Sequence, residues 1–322
     1  MAFSESKKMM NHQFKILVTF KPAAIEIKKK YLKIFKNKKI KIIEKFSSQS
    51  LSAKQLLKII HKFDGIICGD DEINDLVLSK AKKLKIISKW GTGIDSIDLT
   101  SAKRRGIVVC NTPNAFTNSV ANLAIGMIFS LYRNIQEIHN DIHLKRWPKV
   151  NGKVVQNKTL GIIGLGNIGK KVAQMCCGFD MKIFGTDIKK INLNFLKRSH
   201  VRMISKKNLL KICDIIILCT DLNKTSYKLL DNKDFKLMKK KPIIINISRG
   251  PVINEKALIK ALDSKKISGA GLDVFEKEPL NYSSKLRKFK NCILSSHNAF
   301  NTFEEVNYVH KNTIQNLFNH LV

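Results

Sequence analysis

The chain is short of acid, of arginine and of glycine, and each shortage excludes something. Against 59 lysines and arginines it has only 25 aspartates and glutamates, a formal charge of +34 on 322 residues. Such a charge suits polyanions, yet only eight of the 59 basic residues are arginine. Proteins that read nucleic-acid sequence favour arginine forks and stacked aromatics gathered in one patch. Here lysine covers nearly every predicted surface, from Lys28–Lys30 to Lys239–Lys241 and Lys285–Lys290. A bias toward lysine, isoleucine and asparagine is the simpler account. No specific nucleic-acid partner is expected, only salt-sensitive nonspecific attraction.

Long apolar runs are also missing. Ile215–Cys219 and Ile243–Ile247 are among the longest and are far too short to span a bilayer, so no membrane partner is expected. The opening MAFSESKKMMNHQFKILVTF has no extended apolar core and no small-residue cleavage site, so it does not read as a signal peptide. A cytoplasmic location is expected. The seven cysteines are odd in number, form no Cys-x-x-Cys and sit mostly in apolar runs, which reads as buried reduced thiols. No His/Cys/acid cluster has metal-ligand spacing, so no metal is expected. No Pro/Gly/Ser linker, repeat or low-complexity tract divides the chain.

What is present is an alternation of strand and helix from end to end. Strands are predicted at Lys15–Thr19, Ile40–Glu44, Gly65–Cys68, Lys85–Ser88 and Ile107–Cys110. Helical patterns lie between them, for example Ala53–His61 and Glu72–Lys83, the latter after an Asp71 cap. Ser119–Arg133 is apolar nearly all round, as a helix buried between layers or subunits would be. A second alternation then begins at Thr159–Asp187, TLGIIGLGNIGKKVAQMCCGFDMKIFGTD. The chain has only sixteen glycines, yet they gather here and at other predicted strand ends.

That second stretch reads as strand, tight turn, helix, strand, with Gly164-x-Gly166-x-x-Gly169 at the turn and Asp187 at the end. The first glycine permits the turn, the second lets the backbone approach a pyrophosphate at the positive end of the helix, and the third lets helix and strand pack closely. Asp187 would accept hydrogen bonds from an adenosine ribose and repel a 2′-phosphate, favouring NAD over NADP. Glycine turns are common; this one has every contextual element of a dinucleotide site.

The later predicted strands also end in polar residues: Cys219 leads to Thr220, Ile247 to Ser248-Arg249-Gly250, the Gly271–Val274 region carries Asp273 and leads to Glu278, and Leu294 leads to Ser295-Ser296-His297. In an open parallel sheet ligands bind outside the carboxyl ends of the strands, so these residues converge. Arg249 can hold a carboxylate with its guanidinium fork, or be an ordinary surface arginine. His297 alone reads as readily as a structural histidine, and Glu278 as a solvated loop acid. Together they form an acid–base pair that could give a proton to a carbonyl while hydride reaches its carbon. Lys89-Trp90-Gly91-Thr92-Gly93 follows a predicted strand, and its backbone N–H groups can form a nest for an anion, or simply a turn.

The chain resembles the D-isomer-specific 2-hydroxyacid dehydrogenase family, which includes D-3-phosphoglycerate dehydrogenase. The resemblance runs from about Ile66 to the end and rests on KWGTGIDSID, NTPNAFTNSVA, TLGIIGLGNIG, IINISRGPVINEKALIKAL, GAGLDVFEKEP and SSHNAF in that order. It implies an α/β fold of two doubly wound parallel-sheet domains: a Rossmann NAD domain, residues 114–300, inserted into a flavodoxin-like substrate domain, residues 1–113 and 301–322. It implies NAD-linked interconversion of a D-2-hydroxy acid and a 2-keto acid by a homodimer. The family's catalytic residues fall on Arg249, Glu278 and His297, and its substrate contacts on Thr92, Gly93 and Arg249. Lys89 is the basic candidate where several relatives carry arginine. Cofactor contacts fall on Thr92, the glycines of the turn, Asn167, Ile168, Asp187, Thr220, Ile247, Ser248, Asp273 and His297.

The chain departs from the family pattern at Asn122, at Asp221 and in the Ser296-His297-Asn298-Ala299 context. Only 25 residues follow His297, so no regulatory C-terminal domain is expected. The pair 3-phosphoglycerate/phosphohydroxypyruvate is the first substrate expectation, with a hydroxypyruvate/glyoxylate or D-lactate type reductase as alternative. A cofactor-sensing binding protein of the family's corepressor branch is the non-enzymatic alternative, disfavoured by the lack of long flanks. A polyanion binder that keeps only the fold is disfavoured by the intact Arg249, Glu278 and His297.

Overall fold

The structure, a computed structural model, describes residues 14–47 and 50–321. The signal-peptide reading of residues 1–13 lies outside the described residues. The chain divides into two compact units. The first runs to Ala115 and takes in the chain from Thr302 onward, and the second is Phe116–Asn301.

The first unit holds a five-stranded parallel sheet of β1 (Phe14–Val18), β2 (Ile40–Glu44), β3 (Gly65–Cys68), β4 (Ile86–Lys89) and β5 (Val108–Cys110). Their order is β2-β1-β3-β4-β5, the flavodoxin-like winding with its switch point between β1 and β3. The second unit holds a seven-stranded parallel sheet. Its strands are β6 (Thr159–Ile163), β7 (Lys182–Thr186), β8 (Arg202–Met203), β9 (Ile215–Leu218), β10 (Ile243–Asn246), β11 (Gly269–Leu272) and β12 (Cys292–Leu294). The order β12-β11-β10-β9-β6-β7-β8 is the Rossmann winding with one extra strand, and its switch point lies between β6 and β9.

The isoleucine runs explain both sheets. β3, β9 and β10 are buried at every residue, because helices cover both faces of a parallel sheet and leave no solvent face to be polar. Leu17, Leu56, Ile66 and Ile87 centre the first core. Leu210, Ile216, Ile244 and Leu258 belong to the second.

Some helix expectations need correction. Ala53–His61 is a helix only over Ala53–Leu57, followed by a 3-10 turn at Ile60–Lys62. The helix expected over Glu72–Lys83 is Asp75–Lys80, capped by Asn74, whose Oδ1 accepts from Val77 N at 3.1 Å. Asp71 caps nothing there. It is 1% exposed, and its carboxylate accepts from Thr19 Oγ1, from Gly69 N at 3.0 Å and from Leu51 N at 2.6 Å. A buried carboxylate needs several donors, and this one finds them across the sheet edge instead of in the nearest helix. The apolar helix is Thr117–Tyr132, and the last long helix, Phe303–Leu321, packs on β4 and β3 of the first unit.

Candidate active site

In the second unit, β6 delivers the chain to the switch point at Gly164. Its φ is +94°, a left-handed region that favours glycine. A Cβ there would lie 2.8 Å from the Cys219 carbonyl at the end of β9. A Cβ on Gly169 would lie 2.0 Å from the Gly164 oxygen, so the start of helix Asn167–Cys176 presses directly on the turn. Gly166 precedes that helix as its N-cap, with open space where a Cβ would stand. Asn167 and Ile168 are its first two residues. Asp187, just past β7, accepts from Leu165 N at 2.6 Å and from Lys189 N at 2.8 Å, tying the acid to the turn. The Thr220 hydroxyl, just past β9, is buried without a hydrogen-bond partner. Two glycines that admit no side chain, an open N-cap and an orphaned hydroxyl at one switch point fit a dinucleotide pyrophosphate.

Around β10 and β11 the polar residues interlock. Asn246 ends the β10 isoleucine run. Its Oδ1 accepts from Ser248 N at 3.2 Å and Ser248 Oγ at 2.7 Å, and its Nδ2 donates to the Arg249 carbonyl at 3.1 Å. Ile247 and Ser248 are buried, while Arg249 is half-buried and donates from Nη1 to the Ser248 carbonyl at 3.0 Å. A Cβ on Gly250 would stand 1.9 Å from the Phe275 carbonyl. That close approach lays the Arg249 loop against the segment leading to Glu278.

Glu278 and His297 meet. Glu278 Oε1 accepts from Phe275 N at 3.0 Å, and its Oε2 lies 2.8 Å from His297 Nδ1. The His297 backbone takes φ +56° and donates its N–H to the Asp273 carbonyl at 2.7 Å. Asp273 is buried, and its carboxylate accepts from Asn298 N at 2.8 Å and Ala299 N at 3.1 Å. It therefore orients the loop that carries the histidine. Burial pushes the Cys176 and Cys213 thiols up to about 12, so neither supplies a thiolate near neutral pH. Among the described residues no group of three or more His, Cys, Asp or Glu side chains could hold a metal ion.

In the first unit, the loop after β4 is clamped to the end of β5. Thr112 N donates to Gly91 O at 2.9 Å, Thr92 Oγ1 to Thr112 O at 3.1 Å and Asn111 Nδ2 to Thr92 O at 2.6 Å. Gly91 has φ +108°, and Gly93 follows Thr92 in this loop. Lys89 is 4% exposed. Its ammonium donates to Trp90 O at 2.9 Å and lies 3.1 Å from Asp70 Oδ1.

A family model described as the NAD-binding domain of D-isomer-specific 2-hydroxyacid dehydrogenases matches residues 125–299. The chain belongs to the D-isomer-specific 2-hydroxyacid dehydrogenase family. It is 36% identical over 260 residues to a glyoxylate reductase of Thermofilum pendens, covering 79% of this chain and 77% of the relative. It is likewise 36% identical over 283 residues to a glyoxylate reductase of Thermococcus litoralis, covering 82% and 85%. Its fold matches a D-lactate dehydrogenase of Aquifex aeolicus solved with NAD and lactic acid, with a TM-score of 0.82, 26% identity and 95% of each chain covered. This family member is thus an NAD-dependent oxidoreductase built from two parallel-sheet α/β domains.

Sequence reading missed three residues that position candidate site residues within their own units. Asn246 positions the Arg249 loop, and its signal was a polar residue closing an isoleucine strand. Asn111 and Thr112, which open the NTPNAFTNSVA motif, hold the Thr92 turn, and nothing local gives them that role, because their partners lie about twenty positions away.

Proposed function

We propose that the chain reduces a small 2-keto acid to the D-2-hydroxy acid, with Arg249, Glu278 and His297 as the catalytic set. The observation that carries this is the 2.8 Å contact between Glu278 and His297 Nδ1, in the same unit as the glycine turn. Bound NADH supplies the hydride. Arg249 holds the substrate carboxylate with its guanidinium fork. Glu278 fixes the imidazole through Nδ1, so Nε2 is the nitrogen that gives a proton to the carbonyl oxygen. In the reverse direction the same nitrogen takes the hydroxyl proton.

The glycine turn, Asn167, Ile168, Asp187, Thr220, Ile247, Ser248 and Asp273 serve the cofactor in the second unit. Thr92 and Gly93 in the first serve the substrate carboxylate and the nicotinamide end. The relatives named glyoxylate reductase favour glyoxylate as substrate over phosphohydroxypyruvate. A panel of 2-keto acids with NADH, followed at the cofactor absorbance, tests this. Turnover of glyoxylate or hydroxypyruvate is expected, and turnover of no 2-keto acid would overturn the reading.

The working form is a homodimer in the cytoplasm. Support comes from the exposed apolar residues Ile135, Ile142, Leu144 and Trp147, the last 83% exposed, which suit burial against a second copy. The seven unpaired cysteines suit a reducing compartment. Trp147→Glu should shift the mass measured by light scattering from dimer toward monomer, and an unmutated chain that sediments as a monomer would end this part of the reading.

A further inference from the structure

We propose that Glu255 and Glu276 are positioning residues, whose reciprocal backbone bonds hold the Arg249 segment and the Glu278 loop at a fixed spacing. The inference rests on the function proposed above, in which Arg249, Glu278 and His297 form the catalytic set. All five residues belong to the second unit.

Glu278 sits in an irregular stretch after β11, where no helix or sheet ladder fixes the backbone. Its carboxylate closes a short loop by accepting from Phe275 N at 3.0 Å. Glu276 lies inside that loop and reaches out of it. Its Oε1 accepts from Glu255 N at 3.0 Å, and its own N–H donates to Glu255 Oε2 at 3.3 Å. Glu255 is firmly held, as the first residue of helix Glu255–Asp263. The cap of that helix, Asn254, accepts from Ala257 N at 3.2 Å and donates from Nδ2 to Asp231 Oδ1 at 3.0 Å. Val252 and Ile253, just before the cap, are buried.

The same segment begins at Arg249. A Cβ on Gly250 would stand 1.9 Å from the Phe275 carbonyl and 2.4 Å from Glu276 N, so Gly250 presses on the peptide that joins Phe275 to Glu276. Gly250 and Glu255 thus grip one peptide from two points, with Arg249 just before the grip and Glu278 just after it. Setting two carboxylates face to face is unfavourable. Burial holds the Glu255 pKa above its usual range, with the Glu276 N–H opposing and the Glu276 carboxylate adding to the shift. The helix start is already capped by Asn254, so the like-charged pair is not needed there. Local rules are broken in this way where a site demands it, and what this pair serves is the loop that carries Glu278.

The test follows glyoxylate reduction over pH, with saturating NADH, in the unmutated chain and in Glu276→Ala, Glu255→Ala and Glu276→Gln. Reduction uses protonated His297, with Glu278 at Nδ1 and Asp273 behind its loop, so it falls off as pH rises. A carboxylate beside an imidazole favours the protonated form, and a loosened Glu278 gives less of that help. In both alanine variants kcat/KM should drop by about 10- to 100-fold, the cost of a misplacement of roughly 1 Å, and its alkaline fall should move to lower pH. NADH binding should persist and shows that the variants fold; Glu255→Ala carries the test if Glu276→Ala binds no NADH. Glu276→Gln, whose amide oxygen still accepts from Glu255 N, should recover most of both losses. An unmoved pH profile in the alanine variants, or a glutamine variant no better than alanine, would overturn the proposal. Amide exchange at Phe275 reads the placement of the Glu278 carboxylate without any substrate, and it should speed up in Glu276→Ala. If the unmutated chain reduces no 2-keto acid while that exchange speeds up, the catalytic reading falls and the positioning stands. Unchanged exchange would remove the positioning as well.

Discussion

On the proposed function the two ring nitrogens of His297 have different duties, and the contact with Glu278 is what separates them. Glu278 takes Nδ1, and Asp273 organises the backbone on either side. His297→Ala should therefore cost roughly 10²–10⁴ in turnover, the range of a general acid, with NADH affinity little changed by fluorescence titration. Glu278→Gln should fall between that variant and the unmutated chain. Equal turnover in His297→Ala would remove the histidine from the mechanism. Asp187 is more entangled. Its carboxylate holds Leu165 N and Lys189 N besides the ribose contact proposed for it. Asp187→Ala should shift the cofactor ratio toward NADPH and weaken both cofactors, because the turn loses its acceptor. An unchanged NADH/NADPH ratio would mean that another group discriminates. The glycine turn was legible because it interrupts an apolar run at a strand end, whereas Arg249, Glu278 and His297 each had a bland reading alone and were singled out only as a group and by the resemblance. Asp71 was misread because an acid before a helix is a local rule, and two distant donors, Thr19 and Leu51, with the nearby Gly69 N–H outcompeted it.

Most strands were legible to within about a residue, since a buried parallel strand must be a continuous apolar run, but β11 lies two residues before its expected place and the short, exposed β8 was not foreseen. Helix ends were less legible. Short helices owe their limits to caps and packing, as Asn74 and Ser52 show, and period alone does not reveal which candidate cap wins. What no local pattern reveals is how helix Phe303–Leu321 returns to steady the Trp90 loop. Thr313 O accepts from Ser88 Oγ at 2.7 Å, Asn316 Nδ2 donates to Asn111 O at 3.1 Å, and Trp90 Nε1 donates to His310 Nδ1 at 3.1 Å. The last bond requires a neutral imidazole. Burial holds the His310 pKa below its usual 6.5, aided by Lys30 and opposed by Glu26. As pH falls through that value the unfolded chain binds a proton that the folded chain does not, so stability falls; above it His310 adds no slope. Urea unfolding between pH 7.5 and 5.5 should show this loss, limited to about 1.4 kcal/mol per pH unit for one proton. His310→Gln should flatten its share, and an identical slope in that variant would show that other groups carry it.

At the scale of the whole chain, the two alternations of strand and helix announced two parallel-sheet units, and the Rossmann and flavodoxin-like windings followed from the resemblance. The charge of +34 served neither reading, and its consequence is physical. Among the described residues the ion pairs Lys28–Glu44, Lys30–Glu26 and Arg104–Asp75 each have a well-exposed basic partner, and such solvent-screened pairs contribute little. Lysine repulsion has no comparable opposition, since basic residues outnumber acids 59 to 25. Salt weakens both, but it should relieve the repulsion more, because the repulsive pairs are the more numerous and act over longer distances. The thermal midpoint should therefore rise as sodium chloride goes from about 0.01 to 0.15 M, while the Debye length shrinks from about 30 to 8 Å. Over the same interval, binding to heparin or mixed-sequence DNA should fall steeply and show no sequence preference. A midpoint that falls with salt would mean that attractive networks dominate this surface. Tight binding to one nucleic-acid sequence at the upper salt concentration would mean that the lysines are placed for a partner.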